Sequence, residues 1–312
     1  MMGKEKFLVT GAMGCIGAWV VRNLICEGAE ATIFDQSDND HRLKLLLDTE
    51  ALARVKYIQG SITNLDDIKN ALRQSEATHI IHLAALQFPF CNADPGLGAQ
   101  VNVVGTVNVF EAVRSAGNQV HGLSYASSIA AYGPDHLYPK KPLEEDIPLY
   151  PDTFYGTYKQ TNENTARVFW KEAKIGSVGL RPATIYGVAR DQGLTAGLSK
   201  ATLAAALDQP FQINFDGPTA LQYVDDTAYA WLALECLQHA LALFISEQQY
   251  LMAVEVLSLI LHHPDTMDIT RARSARYEDA LRADLSPEDF AAAWESGQQL
   301  DLGDLLTDLM EH

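Results

Sequence analysis

The chain has 312 residues, enough for one large domain or a core domain with a smaller lobe. Its 47% hydrophobic and 20% charged residues exclude a disordered or fibrous protein. The 23 Lys and Arg against 40 Asp and Glu give a formal charge of −17, a field that repels phosphate backbones and anionic headgroups, so neither nucleic acid nor a membrane surface is an expected partner.

Met1–Lys6 runs directly into the first apolar segment without a secretory leader's long apolar run and cleavage site, which predicts a cytoplasmic protein. Short apolar or β-branched runs at Phe7–Thr10, Thr32–Asp35, Val55–Gln59, His79–Leu83, Val120–Tyr125 and Val178–Arg181 read as strands. Helical spacing at Gly14–Glu27, Asp66–Arg73, Asn102–Arg114 and Tyr158–Lys174 falls between them. Such alternation predicts an α/β fold, a doubly wound parallel sheet whose crossovers are helices.

Residues 1–181 are expected to form this doubly wound body, and 182–312 a smaller lobe over the sheet's carboxyl edge. In the lobe we expect a helix at Leu198–Leu207, a strand at Phe211–Phe215 and a helix at Asp226–Gln238 that can return to the core. The most apolar stretch, Trp231–Ile245, is shorter than a membrane span and contains Glu235 and His239. Further on, Leu241–Ser246 could supply a strand and Gln248–Leu261 a helix, with His262-His263-Pro264 read as a helix end rather than a metal site. Ser286-Pro287-Glu288-Asp289 supplies an N-cap, a first-position proline and a capping acid for a helix through Phe290–Trp294. The 4 cysteines, Cys15, Cys26, Cys91 and Cys236, lack paired or zinc-finger spacing, so neither a disulfide framework nor a structural zinc is indicated.

The first strand leads into Thr10-Gly11-Ala12-Met13-Gly14-Cys15-Ile16-Gly17, with glycines placed for a tight turn, close approach to a pyrophosphate and close helix packing. The helix that follows presents free N–H groups to such an anion. Glycines also punctuate ordinary strand-to-helix turns, but here the string sits between a strand and a helix, and Asp35 ends the second strand near the ~20-residue offset at which a carboxylate meets the adenosine ribose. Asp35 can also be a plain turn residue. As a ribose acceptor it would repel a 2′-phosphate, and Gln36 and Ser37 offer no arginine, so NAD is favoured over NADP; NADP would require His41 or Arg42 to fold back over the ribose.

Tyr155-Gly156-Thr157-Tyr158-Lys159 places Tyr155 and Lys159 one helical turn apart. A nearby ammonium favours a phenolate, which brings a tyrosine into the range of acid–base work. Such a pair also decorates ordinary solvated helix faces. Its weight comes from Ser127-Ser128-Ile129-Ala130-Ala131-Tyr132-Gly133, which follows the fifth strand and reaches the carboxyl edge where nucleotide folds place chemistry.

With these segments the chain resembles the extended short-chain dehydrogenase/reductases, the NAD-dependent epimerase/dehydratase family. Further support comes from His82-Leu83-Ala84-Ala85, Asn102–Asn108, Arg181–Gly187 and Tyr223-Val224-Asp225-Asp226, in the family's order. The resemblance implies Tyr155 as general acid/base, Lys159 as the ribose-holding and Tyr155-tuning cation, and Ser128 as donor to the substrate oxygen, with Ser127 the weaker candidate. It implies a pyrophosphate loop of Gly11, Met13, Gly14, Cys15, Ile16 and Gly17. Ser61 and Ile62 would lie on the adenine side, Leu83, Ala84 and Ala85 would line the cleft, and Pro182 would stand beside the nicotinamide. Asn102 is either an organiser of backbone near the cofactor or a satisfied interior amide. A homodimer built on the helices Asn102–Arg114 and Tyr158–Lys174 is also implied, although their apolar face, Val103, Val107, Phe110 and Val113, could equally pack on the sheet.

The chain departs from the family at three places. Gly60-Ser61-Ile62 replaces the usual aspartate after the third strand; Thr219 stands where the nucleotide-sugar enzymes usually carry a diphosphate-binding arginine; and no strand with an Asn-x-Gly turn closes the tail. The leading expectation is an NAD-dependent oxidoreductase acting on a secondary alcohol of a sugar, sugar acid or hydroxy amino acid. Ala126–Ala130 and the closing helix Leu302–Glu311 are similar to the threonine 3-dehydrogenases. The alternatives are a nucleotide-sugar 4-epimerase and a non-catalytic NAD-sensing protein, whose sequence mark, loss of the Tyr or Lys, is not met here.

Overall fold

The computed structural model describes residues 5–138, 143, 147–214, 219–232, 249–262, 278 and 281–300. Six parallel strands form the main sheet: β1 (Lys6–Thr10), β2 (Glu30–Asp35), β3 (Lys56–Gln59), β4 (His79–His82), β5 (Gly122–Ala126) and β6 (Val178–Leu180), in the order β3-β2-β1-β4-β5-β6. Side chains alternate across each strand. On β1, Phe7 and Val9 join one core with Ala31 and Ile33 of β2 and the helix α1 (Cys15–Cys26). Leu8 points into a second core with Phe34, Ile80 and the helices α4 (Leu65–Ser75), α7 (Gly105–Ala116) and α8 (Phe154–Ala173). Helices therefore cover both faces, as the strand and helix alternation predicts, and the strand order reverses between β1 and β4, where folds of this kind open a ligand crevice.

The helix expected from Asn102 begins instead as a π turn at Gln100–Val104 and continues as α7. Asn102 causes the irregularity to be tolerated: its side chain bonds Leu86 on both its N–H and C=O, and its own carbonyl accepts from Thr106 Oγ1 and Asn162 Nδ2. Phe110 and Val113 pack in the sheet-facing core, which removes them from any dimer face. Val104, in the π turn, and Val168, on α8, are exposed.

The strand expected at Phe211–Phe215 is not formed over 211–214, where Phe211 and Ile213 are exposed. A second, two-stranded parallel sheet is made instead by β7 (Thr184–Tyr186) and β8 (Leu221–Tyr223), each too short to show a period in sequence. A helix over 224–232 follows, starting two residues before Asp226, and Val224, Ala228, Trp231 and Leu232 join the core of β1 and α1. The helices Tyr250–His262 and Pro287–Gln299 pack on each other with a separate apolar cluster, the second capped by Ser286 as its sequence predicts. The rest of Asp226–Gln238, the strand at Leu241–Ser246, His263-Pro264, Leu302–Glu311 and Cys236 lie outside the described residues. No helix among the described residues is long and apolar enough to cross a membrane.

Candidate active site

Gly11 turns the chain at the end of β1 with φ +71°, and a Cβ there would stand 2.5 Å from the Ala84 nitrogen. One turn into α1, a Cβ on Gly17 would meet the Gly11 carbonyl oxygen at 2.4 Å. Only glycine permits this closeness, and it brings the start of α1 up against the loop with Gly14 as an N-cap that offers no side chain. Leu83 N–H bonds the Thr10 carbonyl at 3.1 Å, which lays Leu83–Ala85 beside the loop. Below, Thr10 Oγ1, His82 and Thr106 form a buried hydrogen-bonded chain, and burial pulls the His82 imidazole down to about 3, so it bridges the hydroxyls as a neutral ring.

These elements open a cleft of about 700 Å³ at the carboxyl edge of β1, β2, β4 and β5. It is lined by Gly11, Met13–Gly17, Asp35, Ser61, Ile62, Leu83–Ala85, Ser127, Ser128, Tyr155, Lys159 and Pro182. Asn102 lies behind this lining, so it acts through the backbone of Leu86. The Asp35 carboxylate accepts from Met13 N–H at 3.1 Å and from Ser37 N–H at 3.0 Å, which ties β2 to the glycine loop. The Ser61 hydroxyl is paired with Thr63 at 2.8 Å rather than facing the cleft alone.

Tyr155 and Lys159 lie on the first turns of α8, whose N-cap Thr153 accepts from Gly156 N–H. A Cβ on Gly156 would stand 2.0 Å from the Ala130 carbonyl oxygen, so α8 presses directly on the loop that carries Ser128. Ser128 Oγ accepts from Ala130 N–H at 3.1 Å, and its own proton is left to donate; its hydrogen bond favours the Tyr155 phenolate. The Lys159 ammonium is buried, donates to the Ala126 carbonyl at 2.6 Å and sits 5.5 Å from the centre of the Tyr155 ring. Burial pushes the Tyr155 phenol up to about 12, against the help of Ser128. Lys159 itself is pulled down to about 8 by burial, with Cys91 and Glu163 opposing.

Several side-chain pairings at the site join residues whose contact the sequence does not announce. Ser127 donates to Glu163 Oε1 at 2.5 Å, and Arg181 grips both oxygens of Glu163 at 2.8 and 2.7 Å while its third nitrogen reaches the Tyr132 hydroxyl. Burial works against the Arg181 charge, and Glu163 outweighs it, holding the guanidinium above its ordinary value. Across the cleft, residues 187–195 form a strap. Trp19 Nε1 donates to the Val188 carbonyl at 3.0 Å, and Asp191 accepts from Arg42 at 3.0 and 2.6 Å and meets His41 at 3.1 Å. Arg42 also bonds the Met13 carbonyl, so it does fold back to the glycine loop, with its charge already matched by Asp191. Helical spacing puts Glu163 one turn beyond Lys159, which could have flagged it; the Asp191 clamp joins residues 149 apart and could not be flagged.

Residues 7–240 match the family described as the NAD dependent epimerase/dehydratase family. The chain belongs to that family. Among curated relatives, the UDP-glucose 4-epimerase of Mycolicibacterium smegmatis is 31% identical over 236 residues, 73% of this chain and 72% of that protein. The chain spans 53% and 42% of the length of two further relatives it matches. A partial-consensus L-threonine 3-dehydrogenase superposes with a TM-score of 0.64 at 21% identity over 74% of this chain and 72% of that one. The Thermus thermophilus UDP-glucose 4-epimerase, solved with NAD, gives 0.62 at 24% over 73% and 74%. These two likenesses are of fold. Family membership makes NAD the cofactor, and the loop suits a dinucleotide, because Gly11 and Gly17 leave room for close backbone approach where side chains would fill it.

Proposed function

We propose that this family member is an NAD-dependent dehydrogenase that oxidises a secondary alcohol of a small polar metabolite: a sugar, a sugar acid or a hydroxy amino acid. The observation that carries the reading is the convergence of Ser128, Tyr155 and Lys159 on the cleft that also holds the glycine loop and Asp35. NAD, when bound, supplies the hydride acceptor. The backbone N–H groups at the start of α1 would hold its diphosphate, Asp35 its adenosine ribose, and Lys159 the nicotinamide ribose. Ser128 Oγ donates to the substrate oxygen and orients it, and Tyr155 Oη, drawn from the buried phenol to the phenolate by the Ser128 hydrogen bond and the positive charge of oxidised NAD, takes the hydroxyl proton as the carbinol is oxidised.

Thr219 supports a small substrate. Its hydroxyl is hydrogen-bonded to Thr184 at 2.8 Å, a neutral pair where nucleotide-sugar enzymes of the family usually place an arginine for the diphosphate. The second reading, a nucleotide-sugar 4-epimerase, is favoured by the 31% identity to the mycobacterial enzyme. A panel of polyols, sugar acids, hydroxy amino acids and UDP-glucose separates them. The dehydrogenase accumulates NADH with a small alcohol, whereas interconversion of UDP-glucose with no net NADH would replace it with the epimerase. NAD binding with no turnover across the panel would leave a sensing protein.

The same reading assigns residues 1–181 to cofactor binding and much of the following chain to substrate. The unbonded Cys15, Cys26 and Cys91 support a reducing, cytoplasmic setting. Exposed Val104 and Val168 support a homodimer through the outer faces beside α7 and α8, and light scattering that returned a monomer mass would remove it.

A further inference from the structure

The chain carries 40 acidic residues, yet one arginine in the cleft has no acidic partner among the described residues. Arg190 stands on the strap next to Asp191, whose carboxylate is taken by Arg42 and His41. One Arg190 terminal nitrogen donates to Thr195 Oγ1 at 3.1 Å, and its Nε is buried without any hydrogen-bond partner. Leaving a guanidinium donor buried and unmatched is costly, and such groups are normally paired. The backbone also departs from its easy conformations to put the residue there: Gly187 has φ +132° and Ala189, directly before Arg190, has φ +69°.

We propose that Arg190 receives a carboxylate on the substrate, so that the substrate is a hydroxy acid rather than a neutral sugar or polyol. This rests on the dehydrogenase reading for the alcohol to which the carboxylate is attached. The planar guanidinium of this cleft-lining residue offers a two-pronged grip on a carboxylate. The position suits a group carried near the reacting carbon. Arg190 shares the cleft wall with Ser128, Tyr155 and Thr195, and its charge acts on the Tyr155 phenol. The cofactor's diphosphate is the other anion within reach, since the charge also acts on Cys15 in the glycine loop. That diphosphate already has backbone donors and the start of a helix to meet it, and the other cation beside Tyr155, Lys159, already donates to the Ala126 carbonyl.

The test is binding to the NAD-loaded full chain, by calorimetry and melting temperature, for glycerate, galactonate and threonine against glycerol and galactitol. In the unmutated protein at least one acid should bind ten-fold or more tightly than its polyol counterpart. Arg190→Met should erase that preference while keeping the melting temperature without ligand and the affinity for NAD; Arg190→Lys, with the charge but not the fork, should restore part of it. Equal binding of acids and polyols, or an acid preference that survives Arg190→Met, overturns the proposal. A loss of NAD affinity in Arg190→Met with the acid preference intact also overturns it and gives the arginine to the cofactor's diphosphate. Because these readouts are of binding, a failure to find any NADH-forming substrate would count against the dehydrogenase reading and leave the anchor decided on its own.

Discussion

The wall of the cleft at residues 10–17 is held by its own backbone: Gly11 and Gly17 pack against neighbouring main chain, and β1 is hydrogen-bonded on both sides along its length. The facing wall, the strap at 187–195, hangs on side chains supplied from far away, Trp19 for Val188 and Arg42 with His41 for Asp191. The first arrangement is set by short-range geometry that any chain with the right glycines adopts. The second exists only after the sheet has formed and has brought α1 and the segment after β2 to the same edge. On the proposed reading, chemistry and cofactor contacts sit on the first wall and on α8, while discrimination between ligands falls to the second.

The sharpest way to break this contrast is Tyr155→Phe. It removes the proton-carrying hydroxyl and leaves the ring beside Lys159, so kcat should fall by ~10²–10⁴ while calorimetry finds NAD affinity kept. Retention of more than a tenth of kcat would end the assignment. Arg181→Met strands the Glu163 carboxylate, which is only 13% exposed, and should cost about 3–5 kcal/mol in chemical denaturation. Adding Glu163→Gln should recover part of that loss; a double variant no more stable than the single one would show that the pair is not coupled.

Lys159 loses its charge as pH rises through about 8. If the ammonium holds the ribose, NAD affinity should drop by roughly thirty-fold between pH 7 and 9.5, following the charged fraction, and the slope should vanish in Lys159→Met. The same lowered value makes this group add stability to the fold as pH rises from about 8 to the unperturbed lysine value, because the unfolded chain then holds the proton that the folded one has lost. Asp35→Ala with Gln36→Arg should weaken NAD about ten-fold and raise the relative kcat/KM for NADP. An unmutated protein that used NADP equally well would refute the role of Asp35. The smallest effect belongs to the strap: Trp19→Phe deletes one hydrogen bond to Val188, costs about 0.5–1.5 kcal/mol, and should shift ligand affinities more than kcat.

Much of the first wall was legible in the sequence, since strand periodicity, the glycine spacing, Asp35 and the Tyr155–Lys159 interval are all local. Each of the six main strands lies within two residues of its predicted end points. Legibility failed where structure depends on partners. A three-residue strand such as Thr184–Tyr186 has no period to detect, and Phe211–Ile213 alternates apolar side chains without a neighbouring strand to pair with. The environment of Tyr155 is hidden for a related reason: the spacing shows that a lysine is near, but only the fold shows that its ammonium bonds the Ala126 carbonyl and that burial opposes the phenolate. Arg42 was visible as a basic residue, and its neutralisation by Asp191 was not.

The two helices Tyr250–His262 and Pro287–Gln299, joined by Leu281 from the stretch before the second, bury Val254, Leu257 and Phe290 in one cluster, with Ser258 bonded to the Trp294 carbonyl and Gly297 set against the Glu255 carbonyl. Among the described residues their apolar cluster shares no member with the two that flank the sheet. Cooperativity is transmitted through shared packing, so we expect this helix pair to have its own melting equilibrium and heat to unfold the chain in two steps rather than one. The calorimetric enthalpy of such a molecule exceeds the van't Hoff value drawn from any single probe, and a tryptophan signal dominated by Trp294 would report a different midpoint from one dominated by Trp19.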